Sequence, residues 1–396
     1  KYMIVFSNGK EEEIMKKGII CFFVFILMIL GTVIPVSTTV VSSTTPHPLT
    51  VGNTLYVGGS GPNNYTKIQD AINDSSSGDT IYVYHGTYHE AITIDVEKLR
   101  MIGEGREVTI IDANWTDTVV VIDKSGVTLS GFTIRGDKNG IDIEAYLTDI
   151  TISNTNITEN FYGILCAYDW DITGLVVENT IFYSNDIGIY LVSWYETGVN
   201  TIRDNTFINN IYGMDLGGTN NRILNNTFVK NRGNGMFLFG ESSTVEGNIF
   251  RENLGGLKLG GSDHTVTGNI FIGNNVGLVV DGSEHRITGN LFENNSCGVF
   301  VDTAFHTMVN QNNFLQNEHH ARFAERNQSH GNTWDNNYWD DSSSFLGFAL
   351  IFGKMETRIK KILQFDPYST VYYWMPWINV DRNPAQEPYE APMRQE

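Results

Sequence analysis

Three histidines recur at a fixed interval: His264, His285 and His306, 21 residues apart at each step. Imidazole nitrogens are ligands that zinc and copper prefer, and Asp263 and Glu284 stand beside two of them. If the interval is one coil of a stacked fold, rings about 4.8 Å apart could share an ion. The equivalent earlier positions are Asn221 and Ser243, so the competing reading is a polar turn position. Asp281 and Asp302 form a second set, each four residues after a recurring glycine (Gly277, Gly298). Stacked carboxylates repel, which raises a pKa or recruits a cation such as calcium. The plainer alternative is two solvated carboxylates that tolerate each other. Copper and calcium are therefore the candidate cofactors.

A third set is aromatic. Tyr146, then Tyr168 and Trp170, then Trp194 and Tyr195 follow Gly140, Gly163 and Gly188 by five to seven residues, with Asp142, Glu144, Asp169, Asp171 and Glu196 around them. Aromatic faces suit the C–H surfaces of sugars, and carboxylates accept hydrogen bonds from hydroxyls. Local packing over the coil is the other account of these aromatics. No set of residues identifies a catalytic site.

These residues are spaced by an internal repeat. Aromatic or aliphatic side chains recur at Phe132, Ile157, Phe182, Phe207, Phe228, Phe250, Phe271, Phe292, Phe314 and Trp334. From Asn205 each stands in the frame Asn-x-Phe-x-x-Asn, and the last copy is Asn332-Thr333-Trp334-Asp335-Asn336-Asn337. Each unit has short β-branched runs bounded by Asn and Gly, not a 3.6-residue apolar face, so the units are strands. The spacing predicts an all-β parallel β-helix with coils of about 21–25 residues, the Phe column inside and the Asn columns as amide ladders at the bends.

Open ends of such a stack need covering. A short helix with an apolar face at Ile68, Ala71 and Ile72 is expected to cap the N-terminal end, and an irregular, aromatic segment the other. The expected organisation is 1–36 signal peptide or membrane anchor, 37–54 Ser/Thr-rich linker, 55–337 β-helix and 338–396 cap. The apolar run 19–36 follows Lys16 and Lys17, which reads as a secretory signal, with Met15 as the natural start, or as a retained anchor. A membrane contact is expected only through that segment.

The chain has 396 residues and carries a formal charge of −19, from 26 basic and 45 acidic side chains. That balance excludes a nucleic-acid partner, which needs a basic stripe. Seven Asn-x-Ser/Thr sites are compatible with an extracellular glycoprotein: Asn64, Asn73, Asn114, Asn156, Asn225, Asn294 and Asn327. Cys166 and Cys297 are 131 residues apart, several coils beyond disulfide reach.

The frames Tyr-x-x-Ile-Gln-x-Ala-Ile (65–72), Gly-Asp-Thr-Ile-x-Val (78–83) and Gly-x-Tyr-x-Glu (86–90) open the repeat region, and Asn-Asn-Tyr-Trp-Asp-Asp (336–341) closes it. With the Asn-x-Phe coils, they resemble NosD-like, pectin-lyase-like right-handed β-helix proteins, most closely archaeal secreted or surface members. The resemblance implies an exported, non-catalytic surface protein that binds carbohydrate or other envelope components. A polysaccharide hydrolase or lyase with a divergent site is the first alternative, and a periplasmic copper-related accessory factor the second. The Asn-Thr-Asp, Asp-Asp and Gly-His-Gly coil motifs of polygalacturonases are missing, so no catalytic residue carries over.

Overall fold

A computed structural model of the chain describes residues 52–114, 118–136, 138–144, 146–166, 172–192, 199–325, 331–340, 349–360, 370–381, 383–390 and 392. The expected signal or anchor and most of the linker lie outside the described residues. Within them the chain winds through three parallel sheets, each strand pairing with its counterpart one coil before and after. The first sheet begins at Thr54–Val57 and Thr80–Val83, the second at Ile92–Ile94 and the third at Gly86–Tyr88. The third has 12 strands and ends at Tyr338–Trp339, so the solenoid makes about twelve turns. The closing strands of the other two sheets, Ala349–Lys360 and Thr370–Asp381, pair antiparallel with each other.

Each coil buries its inward residues in one continuous apolar core. Phe182, Phe207, Phe228, Phe250, Phe271, Phe292 and Phe314 are fully buried. Their rings stack 4.6–4.9 Å apart and within 10° of parallel. Where the chain turns from this column into the second sheet, a side chain would not fit. A Cβ at Gly256 would lie 2.4 Å from the Gly277 carbonyl oxygen and 2.9 Å from the Phe271 ring.

The structure corrects both ends of the column. Trp339, not Trp334, stacks on Phe314, at 4.4 Å and 5°. Trp334 continues the first-sheet column through Val309, and Asn337, not Asn332, takes the ladder place after Asn312. At the other end, Ile134 precedes Ile157, and Phe132 lies two residues outside the column. Local coil length differs at both ends, so a neighbouring bulky residue mimics the repeat.

Asn ladders run along the bends. In one, Asn205, Asn226, Asn248, Asn269, Asn290, Asn312 and Asn337 follow one another, each Oδ1 accepting the amide and backbone N–H of the residue before it. A second runs from Asn160 to Asn317 and ends on His320 Nδ1. The first ends on Asp381. Its carboxylate accepts from Asn336 N–H, Asn337 N–H and Nδ2, and Trp339 Nε1, at 3.0–3.2 Å.

The N-terminal motif residues have joining roles. Glu90 accepts the Ile68 and Gln69 N–H groups at the start of helix α1 (Ile68–Asn73), and Gln69 exchanges two bonds with the Thr93 backbone. Ile68, Ala71 and Ile72 are buried, as the sequence predicts. Cys166 and Cys297 are buried thiols.

Phe271→Ala should cost on the order of 3–5 kcal/mol in urea or thermal unfolding, since the cavity opens between two stacked rings. A loss below about 1 kcal/mol would contradict this register. Asp381→Ala should cost about 3 kcal/mol by stranding several buried donors at once. Unfolding should then begin in the last coil, read as faster amide exchange at Asn336 and Asn337.

Candidate functional site

The second sheet carries one outward row along the solenoid. Asp142, Leu165, Tyr190, Asp215, Phe237, Lys258, Val279, Phe300 and Arg322 are successive register partners. Up to Phe300, each stands two residues after the recurring glycine, between inward residues such as Met214 and Leu216 that are buried. The period-2 alternation of a strand thus turns this row away from the core. Tyr162, Ile187 and Tyr212 form a second row beside it.

The middle of the row is aromatic and acidic. Tyr162 and Tyr190 lie 5.1 Å apart, Phe161 meets Tyr162 edge-on at 4.6 Å, and Phe237 and Phe239 are 5.5 Å apart. Lys258 Nζ stands 5.2 Å from the centre of the Phe237 ring, within cation–π range. Asp215 sits between Tyr190 and Phe237. Its Oδ1 is buried without a hydrogen-bond partner, and burial pushes its carboxyl up to about 6. Asp142 is also raised, chiefly by burial, against a hydrogen bond from Asn139 Nδ2 at 3.1 Å.

Of the aromatic and acidic residues expected from sequence, Asp142 lies in this row. Glu144 and Tyr146 follow the same strand, both exposed, Tyr146 at 69% and with a left-handed φ of 55°. Tyr168, Asp169, Trp170, Asp171, Trp194, Tyr195 and Glu196 lie outside the described residues. Tyr190, Asp215, Phe237, Lys258 and Phe300 were not singled out by sequence reasoning. The signal was present, since counting two residues from each repeat glycine reaches almost the whole row.

The histidine column has a different role from the one its spacing suggested. His264 Nδ1 accepts the Ser243 N–H at 3.1 Å, and its Nε2 meets the Gly260 carbonyl at 2.9 Å. His285 Nδ1 accepts the His264 N–H at 3.3 Å, and its Nε2 meets the Asp281 carbonyl at 2.8 Å. Each ring does what a ladder amide does, one nitrogen accepting and the other donating, so both nitrogens of both rings are engaged. The ladder runs Asn200, Asn221, Ser243, His264 and His285, and Thr307 takes the next place in register with its hydroxyl unbonded. His306 is exposed, one residue out of line, because the strand Cys297–Phe305 shifts register after Val301.

Asp281 and Asp302 do stand on adjacent coils, just after the paired Val280 and Val301. Each carboxylate bonds locally, Asp281 to the Gly282 N–H and Asp302 to the Thr303 hydroxyl. Among the described residues, no group of three or more His, Cys, Asp or Glu is placed to hold a metal.

Burial and the neighbouring His285 lower His264 to about 4, and burial lowers His285 as well. The folded state holds these rings neutral, while the unfolded chain protonates near pH 6.5. Their contribution is therefore complete above about pH 6.5 and is lost as pH falls toward 4. Thermal unfolding between these pH values should show a loss on the order of 2–3 kcal/mol. His264→Asn should be near neutral at pH 7.5 and should flatten part of that acid limb.

Two family models match the chain. One, described as a right-handed β-helix region, matches residues 59–214 and 101–250; the other, described as a periplasmic copper-binding protein (NosD), matches residues 192–344. A cell surface glycoprotein of Methanothermus fervidus is 28% identical over 48% of this chain, which spans only 38% of that relative's length. Among solved structures, the A-module of the mannuronan C-5 epimerase AlgE6 of Azotobacter vinelandii superposes with a TM-score of 0.56. It is 17% identical, covering 67% of this chain and 86% of that one. The Dettilon tailspike protein gives 0.51 at 13% identity, covering 66% and 60%. At those identities the two structures speak for the fold alone. The continuous coils and the Asn ladders make this chain a parallel β-helix repeat protein, similar over separate stretches to the right-handed β-helix and NosD families.

Proposed function

We propose that this is a cell-surface β-helix protein that binds an extended polysaccharide along the outward row of its second sheet. Support for the surface location comes from its likeness to an archaeal cell surface glycoprotein and to a periplasmic family. Support for binding rests above all on Asp215, a carboxylate held between aromatic neighbours with a buried oxygen that no protein donor satisfies. Leaving a charged group in that state destabilises the fold, and a ligand hydroxyl would relieve it. Phe237 and Phe300, both half-buried, add flat apolar faces along the same line, suited to successive sugar rings, while Tyr190 is itself buried and packs against Tyr162.

Hydrolysis is the second reading, because a carboxyl near 6 can carry a proton at neutral pH. Paired-carboxylate glycosidases hold their two groups roughly 5–9.5 Å apart. Asp142, the other carboxylate of the row, is three coils from Asp215, about 14 Å at strand spacing. Among the described residues that separation favours binding. A copper role would have to use residues other than His264 and His285, whose ring nitrogens are engaged.

Binding of a polysaccharide panel, with product release measured in parallel, tests the reading. Phe237→Ala should weaken the best ligand by roughly tenfold, the worth of one aromatic contact of about 1.4 kcal/mol, and leave the circular-dichroism spectrum unchanged. Unaltered binding in a Phe237→Ala, Phe300→Ala double variant would remove the row from the site. Asp215→Asn should weaken binding too, yet raise the melting midpoint above pH 6. The sign follows from its raised pKa: the folded state loses stability as pH rises through about 6 and the buried group ionises.

A further inference from the structure

Six of the seven Asn-x-Ser/Thr sites lie among the described residues, Asn64 and Asn73 at the N-terminal helix and four in the coils, and the fold treats those four differently. Asn225 stands between the first-sheet strand Arg222–Leu224 and the third-sheet strand Thr227–Val229, exposed and with a left-handed φ of 55°. Asn294 stands between the third-sheet strand Leu291–Glu293 and the second-sheet strand Cys297–Phe305, also exposed, at φ 53°. Asn114 stands two residues past the third-sheet strand Thr109–Asp112, also exposed, at φ 54°. In the first two, the next residue, Asn226 or Asn295, is the buried ladder amide. The ladder bond thus turns one side chain inward at each corner, and the left-handed residue before it is exposed.

Asn156 differs. It opens the strand Asn156–Thr158, is half-buried, and its amide bonds Glu107 while its Oδ1 is buried. A bulky group there would have to displace the neighbouring coil.

We propose that Asn114, Asn225 and Asn294 carry N-linked oligosaccharides and that Asn156 does not. All three flank the third sheet, Asn225 at its border with the first sheet and Asn114 and Asn294 on the side where the chain passes to the second. The transfer joins C1 of a sugar to the asparagine Nδ2 and breaks the sugar–phosphate bond of a lipid-linked oligosaccharide donor. The lipid phosphate leaves with the bonding electron pair, and one amide proton is released. The inference rests on the cell-surface reading, because the donor is met during export.

The test expresses the full chain in a glycosylating archaeal host, behind that host's own secretory signal, and maps its glycopeptides by mass spectrometry. Glycan on Asn114, Asn225 and Asn294 with Asn156 unmodified is the expected pattern. Bare Asn225 and Asn294, or glycan on Asn156, would overturn the assignment. An Asn225→Gln, Asn294→Gln variant should lose two glycan masses while keeping its circular-dichroism spectrum and its polysaccharide affinity. A fall in affinity would show that the sugar coat takes part in binding and does not merely border it. Surface biotinylation of the chain with its own N-terminal segment reads the location separately, so failure of that reading is distinguishable from failure of the glycan pattern.

Discussion

The structure depends on one directional hydrogen bond, repeated coil after coil. A ladder asparagine accepts at Oδ1 from the backbone N–H and the amide of the coil before it, and donates from Nδ2 to a carbonyl on that preceding side, as Asn226 does to Ile202. The bond satisfies the backbone at the sharp bends between sheets, where strand pairing cannot. An unsatisfied buried group costs about 1–3 kcal/mol, and a bend recurs in every coil. The ladder therefore decides which residues a bend can hold. Asparagine is the general solution, since it offers an acceptor and a donor about one amide apart. A neutral imidazole offers the same pair, which is why His264 and His285 fit among asparagines. Serine and threonine supply a single oxygen, and Ser243 accepts the Asn221 N–H through its hydroxyl.

The same direction accounts for how the stack ends. Every ladder member leaves an N–H and an amide for the next coil to accept, so the last one needs an acceptor that asks for nothing in return. Aspartate is the residue that gives this, and Asp381 takes four donors from Asn336, Asn337 and Trp339. The second ladder ends on His320 Nδ1, whose other ring nitrogen lies 2.9 Å from the Asp340 carboxylate. Gly-x-Tyr-x-Glu at the opposite end works in the same way, with Glu90 accepting the free N–H groups that open helix α1. These end groups break the repeat because their chemistry differs from that of the middle.

This is also why some parts were legible in the sequence and others were not. Positions that touch the same kind of neighbour in every coil must repeat, so the Phe column, the Asn ladders and the recurring glycines state the fold directly. The errors fall where a coil changes length: Phe132 for Ile134, Trp334 for Trp339, and His306 for Thr307, where one extra residue enters at the register shift after Val301. The histidine spacing was real, yet spacing alone could not tell a ligand from an amide substitute, because both need a nitrogen lone pair in one place. Only the partners of each ring nitrogen separate the two.

The outward row resisted reading for the opposite reason. Its residues lie outside the repeating core, most of them half-buried, so no recurring neighbour compels them to repeat, and Asp, Leu, Tyr, Phe, Lys and Arg succeed one another without period. On a solenoid that lack of period is itself informative. The scaffold keeps the row straight and evenly spaced whatever residues it carries, so selection on a ligand can act there with little cost to the fold. On this row the cost is most visible at Asp215. Its carboxyl is raised by burial and lacks a partner for Oδ1, in a chain whose other buried polar columns are almost continuously paired. A group that opposes folding at neutral pH, on a row free to vary, is the observation on which the proposed binding role rests.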